Sequence, residues 1–108
     1  MQRPFVHPPI ETVTLEGILY ALADPVRLQI IRTLGRGGSC GMNCQSAAPD
    51  TMPKSSQSHH YRILREAGLI RSERRGVEVV NSLRCDEIAT RFPGLVPAIL
   101  KAADVKTV

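Results

Sequence analysis

The sequence predicts a mainly α-helical chain with one small β-hairpin, an α+β arrangement in which helices lead, a hairpin follows and helices return. Three observations predict it. Apolar residues recur at three-to-four spacing over residues 10–23, 26–34 and 54–67. A valine-rich run over residues 77–83 follows Gly76, which suits a strand leaving a tight turn. Asp24-Pro25, Gly68 and Pro93-Gly94 punctuate the chain where helices should begin or end.

Residues 1–9 contain Pro4, Pro8 and Pro9 and read as an extended arm. The main domain is expected over residues 10–103, with 104–108 as a tail. In the first helix, residues 10–23, Val13, Gly17, Ile18, Tyr20, Ala21 and Leu22 mark the apolar stripe. Asp24 then caps a second helix whose first position is Pro25, where a missing N–H costs nothing. Val26, Ile30, Ile31 and Leu34 form its inner side, and Gly35 is placed to end it in a left-handed turn.

Gly37-Gly38-Ser39 reads as a loop or very short strand, residues 41–48 as a weak short helix, and residues 50–53 as a turn. Residues 54–67 form the strongest helix, with Gly68 as its C-terminal cap. Tyr61, Leu64 and Ala67 make its inner face, with His60 and Ile63 beside them. Ser55, Ser58, His59, Arg62 and Glu66 fall on the opposite side. Residues 69–73 and 77–83 read as two strands around Arg74-Arg75-Gly76. Asp86 is placed to cap a last helix, which Pro93-Gly94 breaks before residues 95–103 resume it.

Composition narrows the classes of function. A chain of 108 residues holds one domain, and no run approaches the roughly 20 apolar residues of a membrane span. Residues 1–10 lack the apolar centre of a secretory leader, and Cys40, Cys44 and Cys85 are too few and odd in number for a secreted disulfide framework. A cytoplasmic protein with reduced thiols is expected. Aromatic content of 4% argues against stacking platforms for single strands. No Ser/His/Asp set, glycine-rich phosphate loop or paired-carboxylate motif appears, so an enzyme is not expected.

The net charge of +4 is localised. Lys54, Arg62, Arg65, Arg71, Arg74 and Arg75 face only Glu66 and Glu73 over residues 54–75, which therefore carry the whole excess. A positive patch of this kind suits a polyanion. The order of elements is that of a winged helix-turn-helix, in which one helix enters the major groove by its first turns. Lys54, Ser55, Ser56, Gln57, Ser58 and His59 occupy those turns, and their donors and acceptors suit base edges and phosphates. Arg74 and Arg75, at the hairpin tip, would reach the DNA backbone or minor groove.

Two blocks of sequence carry a resemblance. Residues 21–28, ALADPVRL, and residues 58–70, SHHYRILREAGLI, running into the Arg74-Arg75-Gly76 wing, resemble the ArsR/SmtB winged-helix repressors over about residues 15–100. The resemblance implies a homodimer joined through its first and last helices, and operator DNA read by the helix that starts near Lys54. It also implies release of transcription when an effector binds. It carries DNA contact to Ser55, Ser56, Gln57, Ser58, His59 and Arg62, and places His60 inward as a core histidine. Arg65 is expected to pair locally, with Glu66 or a wing residue.

The expected partners are double-stranded operator DNA, a second copy of the chain, and an effector of small-molecule, metal or redox class. No cofactor is expected. Cys44 matches one cysteine of the Cys-Val-Cys run with which some of these repressors bind arsenite, but Met42 stands at the other. The last helix has no histidine for the family's second metal site. Cys40, Cys44 and Cys85 are the metal or thiol candidates, and small, partly buried packing residues are the preferred reading of all three. The competing reading of the whole chain is a winged-helix protein-interaction module without specific DNA binding. Such a module should present apolar anchors on the outer face of the 54–67 helix, where serine, histidine and arginine stand instead.

Overall fold

The computed structural model describes residues 5–35 and 52–104. The elements are a 3-10 turn at Ile10–Thr12, α1 (Leu15–Leu22), α2 (Pro25–Gly35), α3 (Lys54–Glu66), β1 (Ile70–Arg75), β2 (Glu78–Leu83), α4 (Cys85–Arg91) and α5 (Leu95–Ala103). The loop at Gly37-Gly38-Ser39, the expected helix at 41–48, the start of the turn at Asp50, and Cys40 and Cys44 lie outside the described residues, as does the tail beyond Asp104.

The single helix expected over residues 10–23 is divided. Val13 is extended, and Thr14 caps α1 by accepting the Gly17 N–H at 3.0 Å. Val13 is thereby buried against Gly68, a gain that helical backbone at this position would forgo. α2 begins as its sequence signals: Asp24 Oδ2 accepts the N–H groups of Val26 at 2.9 Å and Arg27 at 3.1 Å. Gly35, however, makes no left-handed turn. Among the described residues positive φ occurs only at Gly68, Gly76 and Gly94. Gly35 stays in helix, packed near Leu83 and Leu100.

α3 closes on Gly68, at φ +85°. The Gly68 N–H bonds the Arg65 carbonyl at 3.0 Å, and the Leu69 N–H bonds that of Leu64 at 3.1 Å. This double closure satisfies carbonyls that the helix end leaves open, and turns the chain into β1. The hairpin is antiparallel, pairing Ile70 with Leu83 and Arg75 with Glu78. Its tip lies one step beyond the predicted one. Arg74 and Arg75 belong to β1, and the two-residue turn is Gly76-Val77, with Gly76 at φ +63°. A positive φ at the first turn position alone matches the twist of the strands, and only glycine adopts it without strain. Val77, expected in the strand, is fully exposed at the tip.

Asp86 does not cap α4. It stands in the first turn, where its charge still favours the helix N-terminus, while Arg84 occupies the cap position. The break at Pro93-Gly94 is complete: Gly94, at φ +75°, separates α4 from α5. The core gathers Ile18 of α1, Ile30, Ile31 and Leu34 of α2, Leu64 of α3, and Leu69 and Ile70 at the hairpin base, all essentially inaccessible. Leu64, Leu69 and Ile70 share this aliphatic core, which sets α3 beside the base of the hairpin.

Candidate nucleic-acid interface

The outer side of α3 is as polar as the sequence predicts. Lys54, Ser55, Ser58, His59, Arg62 and Glu66 are exposed, whereas Tyr61 and Leu64 are buried. Ser56 and Gln57 are half-buried. Gln57 has a local duty that the sequence did not reveal: its Nε2 donates to the Met52 carbonyl at 2.9 Å and ties the first turn of α3 to the preceding chain. Arg74 and Arg75 are exposed on β1, and Arg75 pairs with Glu73 at 3.4 Å. Between α3 and the hairpin runs a groove of about 490 Å³ that Lys54, Ser58, Arg65 and Arg74 help to line.

Two arginine systems, one on the buried Arg27 and one on the half-buried Arg65, hold this face in place, and sequence reading does not reveal the first. Arg27 is 8% exposed. Its Nε donates to the Ala21 carbonyl at 2.6 Å, Nη2 reaches the Tyr20 carbonyl at 3.4 Å, and Nη1 lies 3.3 Å from His60 Nδ1. The planar fork thus closes the end of α1 and reaches α3 from inside. His60 is the inward histidine that was expected. Its Nδ1 also lies 3.8 Å from Asp24 Oδ2. A short, charge-changing patch within an apolar stripe, Asp24-Pro25-Val26-Arg27, was the one available signal.

The second system joins α3 to the wing. Arg65 Nη1 donates to Ser72 Oγ at 3.3 Å, and Ser72 Oγ donates to Asn81 Oδ1 at 2.5 Å. Ser72 and Asn81 are buried side by side across the hairpin. Arg65 therefore pairs with a wing residue, one of its two expected partners. The arm adds a third layer: His7 Nε2 accepts the Ser72 N–H at 2.9 Å, and Arg84 Nη1 donates to the Pro8 carbonyl at 2.8 Å. Burial, then the charges of Arg71, Arg84 and Arg65, hold the His7 pKa below its ordinary value, with Glu73 pulling weakly the other way.

Cys85 is half-buried and lines an apolar cavity of about 320 Å³ between Leu83, Ile88, Phe92, Val96 and Leu100. Among the described residues no three His, Cys, Asp or Glu side chains come together as a metal site, and no helix is long and apolar enough to cross a membrane.

No family model matches the sequence. The uncharacterized HTH-type transcriptional regulator YceK of Bacillus subtilis is 36% identical over 85 residues, 76% of this chain and 82% of that protein. The chain belongs to the helix-turn-helix transcriptional regulators. An uncharacterized HTH-type transcriptional regulator of Methanocaldococcus jannaschii is 34% identical to this regulator over 59 residues, 55% of the chain and 65% of that protein. The crystal structure of an ArsR family transcriptional regulator aligns with 94% of the regulator and the whole of that chain, at a TM-score of 0.60 and 24% identity. The regulator therefore has the winged helix-turn-helix fold of an ArsR family protein, as the two sequence blocks implied.

Proposed function

We propose that the regulator binds double-stranded operator DNA as an effector-responsive repressor of ArsR type, with the first turns of α3 in the major groove and the wing on the adjacent backbone. One observation carries this reading: Lys54 and Ser58 of α3 line one groove with Arg74 of the wing, Arg62 lies beside Arg74 at its edge, and Ser55 and His59 are exposed on the same helix, so base-reading and phosphate-binding groups are presented together. Ser56 and Gln57 complete the contacting set at its edge. Binding as a homodimer through α1 and α5 is part of the reading. Leu15, Leu19 and Tyr20 leave apolar surface exposed on α1, and α5 has no fully buried residue. The cavity beside Cys85 offers a partly open apolar space for a small effector.

Fluorescence anisotropy with duplex DNA from just upstream of the regulator's gene, against a scrambled duplex, tests the reading. Preference for the upstream duplex that survives physiological salt is expected. Equal binding to both that vanishes with salt would leave only a basic surface. The dimer is tested by sedimentation: Leu19→Arg should yield monomer and weaken operator binding, whereas an unchanged sedimentation coefficient excludes α1 from the interface.

A further inference from the structure

The arm that precedes Ile10 lies against the DNA-facing side of the molecule. The Phe5 ring centroid is 4.6 Å from Arg65 Cζ and 4.9 Å from Arg74 Cζ, so one ring serves a cation from α3 and a cation from the wing. Both guanidiniums and the ring line the groove between α3 and the hairpin, together with Lys54 and Ser58. Long arginine side chains lose rotamer freedom when they bind phosphate, and holding them beforehand removes part of that cost. A guanidinium attracted to a ring face keeps its in-plane N–H donors for phosphate.

We propose that Phe5 is a positioning residue of the DNA interface, holding Arg65 and Arg74 along the groove, and that the His7–Ser72 hydrogen bond is the clasp that keeps the arm in place. This rests on the DNA-binding reading above. The clasp uses an N–H of β1 that would otherwise face outward from the two-stranded ladder. His7 can accept that N–H only while Nε2 is unprotonated. Arg65 of α3, Arg71 and Glu73 of β1, and Arg84 ahead of α4 face the imidazole, and three of those four charges oppose its protonation. Arg84 fixes the chain one residue further on, through the Pro8 carbonyl, and is itself held by Glu87. The folded His7 pKa lies below that of the free side chain. The clasp is therefore complete above about pH 6.5 and is lost as the pH falls from there through the lowered value.

The experiment compares wild type with Phe5→Leu, Phe5→Trp, His7→Gln and His7→Ala, reading DNA anisotropy, melting temperature and protection of the Ser72 amide from hydrogen exchange. Phe5→Leu retains bulk without the ring quadrupole, and is expected to weaken binding to any duplex about three- to tenfold at unchanged melting temperature. Phe5→Trp should restore it. The Ser72 amide should be protected at about pH 7.5 in wild type and should lose protection only as the pH falls below the ordinary histidine value. His7→Gln, whose carbonyl accepts at any pH, should hold protection throughout, and His7→Ala should lack it. Wild-type affinity for DNA in Phe5→Leu overturns the positioning role, and equal Ser72 protection in His7→Ala overturns the clasp. Failure of wild type to prefer operator DNA sinks the DNA-binding reading and the role of Phe5 with it. The Ser72 amide reports the clasp without DNA, so that failure is distinguishable from failure of the arm.

Discussion

Arg27 Nη1 and His60 Nδ1 meet 3.3 Å apart, joining the first turn of α2 to the inner side of the helix that presents Lys54, Ser58 and His59. The contact sits beneath the candidate interface and fixes the angle of α3 from within. The Arg27 fork also reaches two carbonyls of α1; its removal takes from the buried Ala21 carbonyl its side-chain donor, while the Tyr20 carbonyl keeps the Ala23 N–H. Arg27→Ala is expected to destabilise the fold by about 2–4 kcal/mol in urea denaturation. Arg27→Lys should recover little, since an ammonium cannot serve three acceptors in one plane.

Gly68 and Gly76 both require positive φ, yet they should respond differently to alanine. A Cβ at Gly68 would overlap the Val13 side chain, whose farther methyl is only 3.2 Å away, whereas nothing lies within 4 Å of one at Gly76. Gly68→Ala is expected to cost about 2–5 kcal/mol, from backbone strain and overpacking together. Gly76→Ala carries backbone strain alone, about 1–3 kcal/mol. Chemical denaturation midpoints compare the two. Similar losses would mean that Val13 moves aside without cost.

Recognition helix and wing should separate in DNA binding. Arg74→Ala is expected to weaken all duplexes alike and to reduce the magnitude of the log-affinity against log-salt slope by about 1. His59→Ala should instead relax preference at particular base pairs by about 1–3 kcal/mol. Gln57→Ala should do both harm to base preference and harm to stability, because its amide also holds the Met52 carbonyl. Anisotropy titrations across salt and across single-base operator variants distinguish these outcomes.

Acid should loosen two places where α2 and α4 begin. Arg84 hydrogen bonding, reinforced by Arg71, keeps the Glu87 carboxyl below its ordinary pKa of 4.5 against partial burial. Burial raises the Asp24 pKa, but hydrogen bonds from the Arg27 and Val26 N–H groups, with the charges of Arg27 and His60, outweigh it and hold it below 3.8. Both carboxylates bind protons more weakly folded than unfolded. Their stabilisation is therefore complete above about pH 4.5 and is lost as the pH falls through the lowered values. Urea midpoints should decline below that pH, and the decline should be shallower in Glu87→Gln.

Over the described residues, the sequence by itself determined the element types, the polar face of α3 and most of the boundaries. Those features follow from local causes: the Asp24-Pro25 start, the Gly68 stop, the Gly94 break and the helical spacing of Tyr61 and Leu64. It misplaced the hairpin tip by one step because Arg74 and Arg75 look like turn residues in a charged run, while the ladder pairs them with Val79 and Glu78. It missed the division at Val13, the buried Arg27 fork, the Ser72–Asn81 pair and the arm against the wing. Three of these join residues that are distant in sequence, as His60 is 33 residues from Arg27 and Ser72 is 65 from His7, and the Ser72–Asn81 pair depends on the register of the hairpin. Periodicity and capping report only what a residue meets within a turn or two. Which buried polar group finds which partner is decided when the aliphatic core brings α2, α3, the wing and the arm together, since only then does an unpaired group become costly.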